Sequence, residues 1–185
     1  MTGKMYDSEK ELFRDMHDLI SSDDDYRHIL ILLDEKGDCA HADLFANAFR
    51  GYLENNGYGV AHVTFKQTKD ERMAACLEDR DFCFFDIYEK YYSSKHLSRM
   101  SGLIDDCMAG RKTHFRAKFE SKYGHEGYGP KYFIFQTNDL DRLWFISCFS
   151  REFVSIADVS KFPETYGHWN ITPQYIEKKI KEIES

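Results

Sequence analysis

The first strong pattern lies at residues 27–33. His28-Ile29-Leu30-Ile31-Leu32-Leu33 is a continuous apolar run, closed by the polar turn Asp34-Glu35-Lys36-Gly37. Such a run predicts a strand buried on both faces. Leu44, Phe45, Ala48 and Leu53 follow at helical spacing and predict a helix over 42–55. The alternation then repeats. Apolar runs at 60–65, 82–86 and 131–137 predict strands. Met73, Ala74 and Leu77 mark a helix over 69–78, and Leu97, Met100, Leu103, Ile104 and Met108 mark another over 94–108. Residues 143–149 and 153–156 predict further β segments near an edge. Ser8 and Glu11 have capping-box spacing ahead of a helix within 6–22, whose apolar face is Leu12, Phe13, Met16, Leu19 and Ile20. Thr172-Pro173 starts a charged terminal helix over 173–184.

Strands alternating with helices predict a three-layer α/β sandwich around a mostly parallel sheet. It forms one domain: an accessory helix in 1–26, a core over 27–157 and a helical tail over 158–185. Ligands of such sheets bind outside the carboxyl ends of the strands. The polar residues predicted there are Asp34, Glu35, Asp86, Glu89, Asn138 and Asp139.

Composition narrows the partners. The 185 residues include 15 Phe and 12 Tyr, enough apolar and aromatic material for a substantial core. A net charge of −7 weighs against a large nucleic-acid footprint. Five cysteines without a C-x-x-C pair predict neither a disulfide framework nor a zinc site, and so a reducing, cytoplasmic setting. No apolar run reaches the length of a membrane span, so no membrane partner is expected.

The exception to the acidic balance is residues 111–119. Arg111, Lys112, His114, Arg116 and Lys118 interleave with Phe115 and Phe119. Thr113, Phe115, Ala117 and Phe119 alternate, which reads as an amphipathic strand. Basic side chains reach phosphates and aromatic rings stack on bases, so Arg111, Lys112, His114, Phe115, Arg116 and Lys118 are candidates for single-strand binding. The bland alternative is a strand whose solvated face happens to be basic.

The order of these pieces resembles the P-loop ATPase domain of superfamily 3 helicases and related AAA+ replication proteins of viruses, phages and plasmids. LFANAFRGYL is similar to that family's helix after its phosphate loop. DFCFFDIYEK is similar to its Walker B strand, LIDDCMAGRKTHFRAKF to its pore loop, YFIFQTND to its sensor strand ending in asparagine, and SREFVSI to its downstream arginine segment. The resemblance spans about residues 27–157. It implies a P-loop-like fold, ATP and Mg²⁺ as ligands, and Asp86, Glu89 and Asn138 as catalytic positions, with Asp86 and Glu89 on the metal.

The phosphate loop departs from that pattern. A functional loop reads G-x-x-x-x-G-K-[ST], its lysine neutralising the β/γ-phosphates. Starting from Gly37, Ala42, Asp43 and Leu44 fall at the last three positions. Aligning through FANAF puts His41, Ala42 and Asp43 there instead. The degenerate loop of Gly37, His41 and Asp43 lacks the lysine and carries a carboxylate that repels phosphate. Little or no nucleotide binding, and no hydrolysis, is expected.

Two other chemistries have less support in the residues. His41, Asp43, Asp34 and Glu35 read more simply as a polar loop than as a metal site, because no H-x-x-x-H or H-E-x-x-H spacing occurs. Cys39 or Cys83 could serve as a nucleophile only with a partner that nothing local supplies. The expectation is therefore a helicase-like, non-hydrolysing protein of a virus, phage or mobile element, working in replication or interference through a protein partner, a second copy of itself, or single-stranded nucleic acid. The alternative is an active nucleotide- or metal-dependent α/β enzyme with an acidic centre at Asp34, Asp86 and Glu89.

Overall fold

The computed structural model describes residues 4–21, 27–37, 40–64, 66–86, 94–124, 126–143, 154–166 and 170–184. In chain order the elements are β1 (Met5–Tyr6), α1 (Glu9–Ser21), β2 (His28–Leu33), α2 (Ala40–Asn55), β3 (Val60–Val63), α3 (Lys69–Leu77) and β4 (Phe82–Asp86). These are followed by α4 (Ser94–Met108), α5 (His114–Tyr123), β5 (Tyr132–Thr137), β6 (Val154–Asp158) and α6 (Pro173–Glu184). The six strands form one sheet in the order β1-β6-β2-β5-β4-β3. Every pairing is parallel.

The apolar runs become the middle of this sheet. All six residues of β2 and of β5 are buried. Side chains alternate across β4, which sends Phe82 and Phe84 to one face and Cys83 and Phe85 to the other. The first face is covered by α1, α2 and α6, where Phe13, Phe45 and Phe49 stack at centroid distances of 5.7–6.4 Å. The second is covered by α3, α4 and α5, over Phe85, Phe133 and Phe135. Each fully buried ring contributes about 1.5–3 kcal/mol of hydrophobic stabilisation.

The order explains why the helices divide this way. From β2 the chain crosses to β3 at the far edge through α2, then returns strand by strand through α3 to β4 and through α4 and α5 to β5. Right-handed crossovers that run in opposite directions must put their helices on opposite faces. The strand β2 thus lies between β5 and β6, the strands the chain reaches last, and the loop after β2 opens where the connections diverge.

The strands expected at 27–33, 60–65, 82–86 and 131–137 are present side by side, the second shortened to Val60–Val63. Two readings need correction. Residues 114–123 are a helix, not an alternating strand. Its start is capped by the Thr113 hydroxyl, which accepts the Arg116 N–H, and its end by Gly124 at φ 69°. The N-terminal segment is more than an accessory helix, because Met5 and Tyr6 extend the sheet beside β6. Of the β segment expected at 143–149, Leu143 closes a short 3-10 turn and residues 144–149 lie outside the described residues. Among the described residues no helix is long and apolar enough to cross a membrane.

Candidate functional site

Asp34, Glu35, Asp86, Asn138 and Asp139 stand at the carboxyl ends of the strands, and the loop after β2 is closed from within. Asp34 is fully buried. Its Oδ2 accepts the backbone N–H of His41, in the first turn of α2, at 3.2 Å. Its own N–H donates to the Thr137 carbonyl at 3.1 Å, which ties it to the end of β5. The chain passes so close that a Cβ at Gly37 would lie 2.8 Å from Asp34 Oδ2 and 2.9 Å from Oδ1. Gly37 is thus required for close approach. A helix start carries unsatisfied N–H groups and partial positive charge, the setting in which phosphate loops hold an anion. Here the anion at that position is the Asp34 carboxylate.

The other loop residues are engaged as well. The His41 ring lies 4.7 Å from that of Tyr166, and the Lys36 ammonium lies 5.7 Å from the same tyrosine ring. Asp43 Oδ1 accepts a hydrogen bond from Gln136 Nε2 at 2.7 Å. Gln136 neighbours Asp86 across β4 and β5. Asp86 in turn faces His62 of β3, whose Nε2 lies 3.3 Å from Oδ2 and 3.4 Å from Oδ1. Beneath α2, Arg50 lies 5.6 Å from the Phe84 ring. Burial lowers the pKa of its guanidinium, and Asp86, Glu54 and Asp43 oppose that shift. The result is a continuous polar layer, His62-Asp86-Gln136-Asp43, along one edge of the sheet. Asn138 stands at the end of β5, its Oδ1 accepting from Arg142 Nη1 at 2.9 Å.

Asp34, Asp86 and Asn138 stand at the carboxyl ends of β2, β4 and β5, and Asp43 joins them from the first turn of α2. Glu89 lies outside the described residues. Among the described residues no group of three or more His, Cys, Asp or Glu is placed to hold a metal ion. Sequence reasoning missed His62 and Gln136, which sit inside apolar runs. The available signal was a polar residue interrupting a run at the carboxyl end of its strand. Asp158 at the end of β6 was also missed. It is buried, and Oδ1 accepts from the Ser160 N–H at 3.0 Å and from the Ser160 hydroxyl.

Cys83 is fully buried, and burial pushes its thiol pKa well up. A thiol held protonated is a poor nucleophile. Cys39 lies outside the described residues.

The basic segment is largely committed to internal contacts. Arg111 pairs with Asp105 at 2.6 Å and Asp106 at 3.0 Å. Asp106 is itself buried and also accepts from the Thr113 hydroxyl. Lys112 pairs with Glu120 at 3.4 Å and Glu126 at 3.8 Å. Arg116, expected on a solvated basic face, is 0% exposed. It donates to the carbonyls of Leu77 at 3.0 Å and Gly127 at 2.7 Å, and Glu120 lies 3.3 Å from its Nε. Its period explains the error. Arg116, Phe119 and Tyr123 form the inward stripe of α5, and the stripe begins with a cation. His114, Phe115 and Lys118 remain on the exposed side.

Comparison with protein families, with curated proteins and with solved structures finds no match.

Proposed function

We propose that this chain is a helicase-like, non-hydrolysing α/β scaffold of a virus, phage or mobile element, which acts in replication or its interference through protein contacts. The family element of this reading rests on the resemblance over residues 27–157. The non-hydrolysing element rests on one observation, the Asp34 carboxylate bound at the start of α2. An incoming phosphate would have to displace a buried carboxylate from its N–H donor and then sit beside Asp43 with no lysine to offset the repulsion. Like charges in a partly buried loop repel by several kcal/mol.

Calorimetric titration with ATP and Mg²⁺ tests this. The expected heat is that of dilution. Micromolar affinity abolished by Asp86→Asn would overturn the reading and restore an active nucleotide site. The partner is sought by affinity capture from the native host, where replication or nucleic-acid-processing proteins are expected.

A second reading draws on the His62–Asp86 pair. A carboxylate that orients an imidazole is the arrangement of a general base. Under that reading the chain is an α/β enzyme acting at the carboxyl edge of β3 and β4. Turnover lost in both His62→Ala and Asp86→Asn would favour it over the scaffold.

A further inference from the structure

The opposite edge of the sheet carries a cleft that none of this uses. It has a volume of about 460 Å³, and its lining includes Arg27, Asp79, Arg80, Asp81, Tyr128 and Lys131. Arg27, Lys131 and Arg80 immediately precede or approach the starts of β2, β5 and β4, three neighbouring strands. The ladder continues through them, with His28 N–H donating to the Lys131 carbonyl and Lys131 N–H to the Arg80 carbonyl. Neighbouring strands lie ~4.8 Å apart, so the backbone positions that carry these three cations span about 10 Å. Arg80 is already paired with Glu78, its Nη2 lying 2.9 Å from Oε2, so a phosphate there would compete with that exposed pair, and the other nearby acids are held by backbone N–H groups. Asp79 accepts the Tyr128 N–H and Asp81 the Gly59 N–H, each at 2.8 Å.

Beside these cations, Tyr128 is 47% exposed although its loop is tightly held. Arg116 bonds the carbonyl on one side of it, at Gly127, and Arg27 bonds the carbonyl on the other, at Gly129, at 2.9 Å. Both glycines have positive φ and pack where a Cβ would come within 2.8 Å of a backbone oxygen. The Lys112 ammonium lies 5.0 Å from the tyrosine ring. An aromatic ring shown to solvent by a fixed loop, next to three cations, combines a stacking platform with phosphate contacts.

From this geometry we infer that the cleft binds single-stranded nucleic acid, with a base on Tyr128 and phosphates on Arg80, Lys131 and Arg27. The site is distinct from the loop after β2, and it places single-strand contact away from the exposed face of α5.

Fluorescence anisotropy with a labelled single-stranded oligonucleotide at low salt tests the inference. Tyr128→Ala should weaken binding by about tenfold to a hundredfold, and Tyr128→Phe should retain it. Arg80→Glu with Lys131→Glu should abolish it. Adding salt should weaken wild-type binding, with a log–log slope of about −0.7 for each phosphate contacted. All these positions are exposed, so thermal melting should show the variants folded. Absence of binding at low salt, or equal binding by the wild type, Tyr128→Ala and the double charge reversal, would overturn it. Full competition by a free mononucleotide at equal concentration would also overturn it, assigning the cleft to a small ligand. Neither result bears on the ATP titration, whose decisive variant is at Asp86.

Discussion

The loop after β2 and the loop before β5 are each organised by one fully buried charge that grips backbone, yet with opposite consequences. Asp34 accepts an N–H at the start of α2, and Arg116 donates to the carbonyls that end α3. Both choices suit the helix dipole, a negative group at an N-terminus and a positive one at a C-terminus. Asp34 lies inside its loop, where a bound anion would sit, and so fills it. Arg116 reaches its loop from behind, through α5, and leaves the outer surface to Tyr128. A buried charge can therefore occupy a site or support one, and its side of the loop decides which.

If Arg116 supports the second loop, its removal should give the largest effect. Arg116→Ala strips the carbonyls of Leu77 and Gly127 of their donor and leaves Glu120 without its closest cation. Losing one partner of a buried charged network costs about 3–5 kcal/mol, which urea denaturation would register as a large fall in midpoint. Lys118→Ala, two residues along on the exposed side, should stay within about 0.5 kcal/mol of wild type. Equal effects at the two positions would erase the distinction.

Gly37→Ala sharpens the comparison on the other side. The added methyl would press on the Asp34 carboxylate, and overpacking of this kind costs about 1–3 kcal/mol. In an Asp34→Ala background the cost should largely vanish. The double-mutant cycle should thus report a coupling of about 1 kcal/mol or more. Simple additivity would mean that Asp34 does not fill the loop.

A smaller effect comes from a buried carboxyl that grips neither loop. Burial raises the pKa of Glu9, and the charge of Glu164 adds to the shift. A raised folded-state value means that this group's favourable contribution is complete below the ordinary glutamate range of ~4.5 and is lost as pH rises through the raised value. Glu9→Gln should therefore melt higher than wild type at pH 7, with the difference closing as pH falls below ~4.5. A difference constant across that range would assign it to packing alone.

How much of this was legible followed from pattern length. The buried strands were readable because β2, β4 and β5 are nearly unbroken apolar runs. Strand β1 was not, because two residues have no period to read. Helix α5 was misread because Phe115 and Phe119 satisfy both a period of two and a helical i, i+4 spacing, while its deepest residue is an arginine that no hydrophobic pattern counts. Its caps, Thr113 and Gly124, were the better signal. At the site, Asp34, Asp86 and Asn138 could be placed from strand ends alone, and Asp43 only by its position in the loop pattern before α2. Their hydrogen bonds could not, because the register that sets Gln136 beside Asp86 is fixed only when the sheet assembles.

The claim that Asp34 occupies the anion position of its loop is read most directly at the amide it holds. The His41 N–H cross-peak in a two-dimensional amide spectrum should move markedly in Asp34→Ala, which removes its acceptor. In the wild type it should stay fixed as ATP and Mg²⁺ are added to millimolar concentration. A saturable shift of the His41 peak with ATP in the wild type would contradict the account.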